Sequence, residues 1–253
     1  MHLDLSFNGF SGPLPSWPVK LDKLVFLDLS YNGFSGPLPS WLVKLDELEF
    51  LDLSSNNLSG PIPSSYGNKF QNLQRRMVNK NSLSGTIPSS LFSLPSLIVL
   101  VLQDNQFSGQ LDQFPYTSSL VLWMINLSNN LRSGTIPSSL LLLPSLQDLY
   151  LQDNQFSGQL SEFQNASSSQ LETIYLSNNS LQGPIPIPIF ALAKLYYLEL
   201  SSNNFSSDVD HGLFQNLMIF QITTSQSAIA EAKQFNLHIL RQNSTVVIKI
   251  LQH

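Results

Sequence analysis

Aliphatic residues recur along this chain at a fixed spacing, tied to a recurring asparagine. Asn8, Asn32, Asn56, Asn81, Asn105, Asn130, Asn154, Asn179 and Asn203 follow one another at steps of 24 or 25 residues. Eight positions before an asparagine stands a leucine, as at Leu24, Leu48, Leu73, Leu97, Leu122, Leu146, Leu171 and Leu195. Five before it stand Leu27, Leu51, Leu100, Ile125, Leu149, Ile174 and Leu198. Three before it stand Leu5, Leu29, Leu53, Val78, Leu102, Leu127, Leu151, Leu176 and Leu200. The apolar–x–apolar step alternates with the period of a strand, so each repeat predicts a short strand with two side chains facing inward. The asparagine falls where the chain turns off that strand. Its amide is suited to bonding backbone groups of its own and neighbouring turns. One such coil cannot bury its leucines alone, so the coils must stack.

A tenth, weaker copy reads Leu217, Phe220 and Ile222, with Ser225 in place of the asparagine. The frame L-x-x-L-x-L-x-x-N is the signature of leucine-rich repeats. The fold expected is an α/β-type repeat solenoid, a right-handed superhelix with a parallel β-sheet on its concave face. Residues 1–225 form the solenoid, and 226–253 form a divergent tail.

A second layer follows each asparagine: a large apolar residue, then Ser-Gly, then often Ile-Pro or Leu-Pro. Examples are Phe34-Ser35-Gly36-Pro37-Leu38-Pro39 and Leu83-Ser84-Gly85-Thr86-Ile87-Pro88. Glycine permits a turn that a Cβ hinders, and proline holds an extended segment. Phe10, Phe34, Leu58, Leu83, Phe107, Phe156, Leu181 and Phe205 are expected to stack as a spine inside the coil. The extended frame, L-x-x-L-x-L-x-x-N-x-L-S-G-x-I-P, resembles the plant extracellular leucine-rich repeat family over about residues 2–225. The segments Asn105 to Leu111 and Asn154 to Leu160, followed by Phe114 or Phe163, resemble receptor-like proteins of the Verticillium-resistance type. That resemblance implies a cell-surface immune receptor with a repeat ectodomain, one membrane span and no kinase. It places the parent on the extracellular side of the plasma membrane, with a co-receptor kinase as signalling partner. Polygalacturonase inhibitors share the frame, which leaves a secreted inhibitor of cell-wall hydrolases as the alternative.

Departures from the frame are few. Residues 10–30 nearly recur at 34–54, and a 49-residue unit beginning at Ser84 recurs at Ser133. Both suggest growth by duplication. Arg76 stands where an inward leucine belongs; an unpaired buried arginine is costly, so local distortion or a snorkelling side chain is expected. Arg132 takes the spine position beside Leu131, as if two residues had been exchanged. Past Ser227 the repeat is lost. Ile229, Ala232, Phe235 and Ile239 fit a helical stripe, and 245–251 reads as a strand. The tail is a possible makeshift cap. The chain has no cysteine, whereas the resemblance implies cysteine-paired caps, and it opens without a signal-peptide pattern. It therefore reads as a piece of an ectodomain or a truncated, nonfunctional product.

Composition narrows function more than fold. Only 11% of the 253 residues are charged and the net charge is -5, which argues against nucleic-acid binding. No apolar run approaches the roughly 18 residues of a membrane helix, so this segment is expected to make no membrane contact itself. His2, His211, His238 and His253 are scattered, without metal-ligand spacing or a neighbouring nucleophile. No catalytic residue, metal or cofactor is expected. Sequons occur at Asn57, Asn126, Asn165, Asn178, Asn204 and Asn243.

The expected function is protein or peptide binding by the concave sheet. The residues between the inward pairs point outward there: Asp4, Asp28, Asp52, Met77, Val101, Asn126, Tyr150, Tyr175, Glu199 and Gln221. Flanking positions add Trp123, Met124, Tyr196, Tyr197, Asp104 and Asp153. Exposed aromatic residues on a rigid sheet suit recognition hot spots. The candidate contacts are Met77, Val101, Trp123, Tyr150, Tyr175, Tyr196, Tyr197, Asp104 and Asp153.

Overall fold

A computed structural model describes residues 1–16, 21, 23–113, 120–160 and 168–206, together with the backbone of two strands at 219–221 and 247–248. Phe114, Phe163, Asn165, Asn243, Leu217, Ser225 and the expected helical stripe lie outside the described residues.

Each coil contributes a strand from its L-x-L step. These are β1 (His2–Asp4), β3 (Phe26–Asp28), β5 (Phe50–Asp52), β7 (Arg75–Met77), β9 (Val99–Val101), β11 (Met124–Asn126), β13 (Asp148–Tyr150), β15 (Thr173–Tyr175), β17 (Tyr197–Glu199) and β19 (Ile219–Gln221). With β20 (Val247–Ile248), which falls inside the strand expected over 245–251, they form one eleven-stranded sheet in sequential order. The pairings are parallel. The outward residues fall in one register row, from Asp4 through Asp28, Asp52, Met77, Val101, Asn126, Tyr150 and Tyr175 to Glu199. The inward aliphatic residues beside that row from Leu27 to Leu200 are almost wholly buried in one continuous core, while Leu3 and Leu5 of the first coil are half-buried against it. Full burial of one leucine contributes about 1.5–3 kcal/mol.

A second sheet lies on the far side of the turn, where sequence had indicated only a glycine bend. Its nine strands are β2 (Ser11–Pro13), β4 (Gly33–Pro37), β6 (Asn57–Gly60), β8 (Ser82–Gly85), β10 (Gln106–Gly109), β12 (Leu131–Gly134), β14 (Gln155–Gly158), β16 (Ser180–Gly183) and β18 (Asn204–Phe205). The Ser-Gly of the frame lies in these strands, and the glycine sits in the left-handed region. At Gly134, with φ of 76°, an added Cβ would come within 2.5 Å of Gln110 Cγ. Among the described residues the outer side of the coil carries short helical turns, such as the 3-10 turn Ser40–Lys44 and helices α1 (Tyr66–Lys69) and α2 (Ser138–Leu141). The frame's closing proline opens them. Pro39, Pro88, Pro137 and Pro186 each accept the N–H of the residue three positions on, at Leu42, Leu91, Leu140 and Ile189. Pro63 does the same for Tyr66, which makes Tyr66 their structural equivalent.

Between the sheets runs the asparagine ladder. Asn105 Nδ2 donates to the carbonyls of Leu102 (3.2 Å) and Gln103 (3.2 Å) in its own coil and of Val78 (3.0 Å) in the coil before. Its Oδ1 accepts the N–H of Leu83 at 3.0 Å. Asn32, Asn56, Asn81, Asn130, Asn154, Asn179 and Asn203 repeat the arrangement. Asn8, in the first coil, bonds only Leu5 and Ser6. The residue before each ladder asparagine has φ between 50° and 56°, in nine successive coils from Phe7 to Ser202. Below the ladder the spine residues are buried as expected, except Phe10, which is 44% exposed and stacks on Phe34 from the first coil.

The two arginine departures resolve differently from expectation. Arg76 neither distorts its strand nor snorkels. Strand β7 keeps perfect register, pairing Arg76 with Leu51 and Leu100, and the side chain is wholly buried. The same coil carries aromatic residues where others are aliphatic. The guanidinium lies 4.9 Å from the Tyr66 ring centroid and 5.9 Å from that of Phe70. Phe70 stands three residues before Leu73, the place of Leu45 before Leu48 and Leu94 before Leu97. At Arg132 the exchange is literal: Leu131 is 47% exposed and Arg132 fully buried, its Nη1 donating to the Ser108 carbonyl.

Candidate functional site

The outward face of the first sheet is paved by two columns of side chains, one from the first residue of each strand and one from the third. Near its C-terminal end the columns become aromatic. Tyr150 and Tyr175 are neighbours in the register row and stack with centroids 5.1 Å apart. Tyr197, from the other column, stacks on Tyr175 at 4.3 Å. Every tyrosine of the stack is half-buried by its neighbours. Two hydroxyls meet at one acid: Tyr197 Oη donates to Glu199 Oε2 at 3.4 Å, and Ser201 Oγ to Glu199 Oε1 at 3.2 Å. Burial, then the hydroxyl of Tyr197, pushes the Tyr175 phenol far above its ordinary range. Burial, followed by the charge of Asp148, pushes Tyr150 up as well.

The remaining expected contacts divide by position. Met77 and Val101 lie in the same row as the tyrosines, in β7 and β9. Trp123 and Tyr196 immediately precede β11 and β17, where their N–H groups donate to Ile98 and Glu172. Trp123 is half-buried, while Tyr196 is exposed and its hydroxyl accepts from Thr173 Oγ1 at 3.3 Å. Asp104 and Asp153 stand apart, in the left-handed column beyond the strands. Each is bonded to the next coil, by Asn129 Nδ2 (2.6 Å) and Asn178 Nδ2 (2.8 Å).

One aromatic group escaped the sequence reading. Phe26 and Phe50 stack on the same face at 4.2 Å and 8°, with His2 at 5.2 Å from Phe26. Phe7 and Tyr31 stack beside them at 4.2 Å. The signal was present in the repeated F-L-D-L-S, whose phenylalanine is the first residue of its strand. Beside them Asp4, Asp28 and Asp52 each accept the N–H of the serine two residues on. Burial pushes the Asp52 carboxyl up; bonds from Ser54 oppose this, and the charge of Asp28 adds to it. Among the described residues no group of three or more His, Asp or Glu is placed to hold a metal ion, and no helix is long and apolar enough to cross a membrane.

Of the sequons, Asn57 and Asn204 are exposed at the starts of β6 and β18 on the second sheet. Asn126 is half-buried on the tyrosine face, its Oδ1 accepting both the N–H and the hydroxyl of Ser128. Asn178 is exposed in the left-handed column.

Comparison with known proteins agrees with this geometry. Family models described as leucine rich repeat match residues 1–58 and 170–192. Comparison with curated proteins gives no match. Among solved structures, the Arabidopsis receptor kinase HAESA, in complex with the peptide hormone IDA and the co-receptor SERK1, is 36% identical with a TM-score of 0.72. The match covers 81% of this chain and 34% of that one. PEPR1 in its complex with AtPEP1 is 34% identical with a TM-score of 0.81, over 88% of this chain and 31% of that one. The chain thus spans about a third of the length of these receptor structures. A plant ice-binding protein, 24% identical over 88% of this chain and 72% of its own, has the same fold with a TM-score of 0.77. By its asparagine ladder, its stacked strands and these matches, the chain has the fold of a leucine-rich repeat solenoid and is similar in its repeats to plant receptor ectodomains.

Proposed function

We propose that the chain is a non-catalytic section of a plant cell-surface receptor-like protein, which binds a peptide or protein ligand in defence signalling. The observation that supports it best is the stack of Tyr150, Tyr175 and Tyr197 on the open face of a rigid sheet. Half-buried, preordered aromatic rings offer large contact area at little entropic cost. Met77, Val101 and Trp123 extend the contact surface toward the middle of the sheet, and Tyr196 widens it at the C-terminal end. A co-receptor kinase would carry the signal; the HAESA structure holds a peptide hormone and a co-receptor. The parent protein would hold this face outside the plasma membrane. Glycans on Asn57 and Asn204 would stand on the second sheet and leave the tyrosine face open.

Panning a random peptide library against the 253-residue chain tests the reading. Capture of the enriched peptides should fall at least about tenfold with Tyr175→Ala, in line with loss of an interface hot spot. Equal capture by wild type and variant would sink the assignment of this face.

A further inference from the structure

The tyrosine stack has an asymmetric end. Tyr175 covers one face of Tyr150, while the register neighbour on the other side is Asn126, which has no ring. Among the described residues no second ring stacks on Tyr150. The charge along this part of the chain is mostly negative. Past the buried Arg132, the described residues up to 206 include Asp148, Asp153, Glu172 and Glu199 against a single cation, Lys194. Lys194 is exposed and donates to Gln170 Oε1. Asp148 lies two residues before Tyr150 in β13 and so shares its face of the sheet. Its charge reaches the Tyr150 hydroxyl, adding to the upward push from burial.

An open phenol face beside an uncompensated carboxylate favours a cation and repels an acidic ligand. A guanidinium suits it better than an ammonium: it is planar, stacks on rings, is weakly hydrated, and can pair with a carboxylate at its edge. We infer that the open face of Tyr150 receives an arginine side chain of the ligand peptide, with Asp148 as its counter-charge. The inference rests on the reading of this face as a peptide site.

The test uses the 253-residue chain with labelled tyrosine rings and three probes: acetyl-arginine amide, acetyl-lysine amide and acetyl-citrulline amide. Titration followed by ring resonances should move Tyr150 with arginine amide. Citrulline amide, which keeps the shape without the charge, should bind at least about tenfold more weakly, and lysine amide in between. Tyr150→Phe should keep the binding, whereas Tyr150→Ala, followed on Tyr175, and Asp148→Asn should each lose most of it. Equal affinity for citrulline and arginine amides, or unchanged affinity in Tyr150→Ala, overturns the inference. If arginine amide leaves Tyr150 unmoved while library peptides lacking arginine still depend on Tyr175, the arginine inference fails and the peptide reading stands. If neither binds, both fail.

Discussion

The guanidinium carbon of Arg76 lies 4.9 Å from the Tyr66 ring centroid, in a coil interior closed to solvent. None of the three guanidinium nitrogens has a hydrogen-bond partner among the described residues. Burial lowers the Arg76 pKa to about 10, and the nearby Tyr66 opposes that shift, so the side chain stays charged at neutral pH. Its compensation is therefore aromatic rather than ionic. A cation–π contact away from water is worth about 2 kcal/mol, less than the several kcal/mol that burying an ion costs.

Arg76→Leu should consequently stabilise the chain, by about 1–3 kcal/mol in urea unfolding, since it restores the frame residue and removes an unpaired charge. Tyr66→Leu should cost about 1–2 kcal/mol less in that background than in the wild type. Additive effects would mean that the ring and the guanidinium are not coupled. The Tyr66 hydroxyl, which donates to the Pro39 carbonyl at 2.6 Å, gives an internal reference. Its removal in Tyr66→Phe should cost about 1 kcal/mol in either background.

Leu131 and Arg132 present the opposite situation, because no aromatic change accompanies them. Arg132 keeps two buried nitrogens without partners, while Leu131 lies in solvent. The double substitution Leu131→Arg and Arg132→Leu should raise stability by roughly 2–4 kcal/mol, from leucine burial and relief of the charge. Thermal unfolding of the double variant at or below the wild-type midpoint would contradict this account.

Ladder asparagines should differ in importance by position. Asn105→Ala removes three donated bonds and leaves the buried N–H of Leu83 unpaired, at a cost of about 2–4 kcal/mol. Asn8→Ala removes two bonds at an exposed site and should cost about 0.5 kcal/mol. Chemical denaturation of the two variants, compared directly, checks the order.

The Asp52 carboxyl makes a pH prediction. Its pKa is raised, burial being the main cause, so the native state holds the proton more tightly than the unfolded chain. Stability from this group is complete below the unfolded aspartate value of about 3.9 and declines as pH rises through the folded value above it. Asp52→Asn keeps an oxygen for the Ser54 N–H and removes the charge. It should raise the urea midpoint at pH 7 and leave it nearly unchanged at pH 3. A shift of the same size at both pH values would rule out ionisation as the cause.

How much of this was legible in the sequence depends on the length scale of the signal. The register row from Asp4 to Glu199 and the ladder bonds follow from spacings of three, five and eight residues. The second sheet leaves no mark in the pattern because its strands of two to five residues carry no apolar alternation; their pairing comes from backbone and a left-handed glycine. The fate of Arg76 was missed for another reason. Its aromatic partners sit ten and six residues upstream, and only alignment of Tyr66 with Leu42, Leu91, Leu140 and Ile189 reveals a joint departure. Asp104 and Asp153 were read as outward contacts, but the sequence did not tell that the left-handed turn hands each of them to an asparagine one coil on.

The sequential order of both sheets has one more consequence. Each described coil pairs only with the coils on either side of it. A whole coil can therefore be spliced in or cut out while every remaining junction keeps its geometry, and each splice moves whatever lies beyond it by one strand spacing, about 4.8 Å. The distance between the Phe26–Phe50 stack and the tyrosine stack is thus a graduated ruler. Its marks can be reset by unequal crossing-over, which remakes only the junction at the splice point.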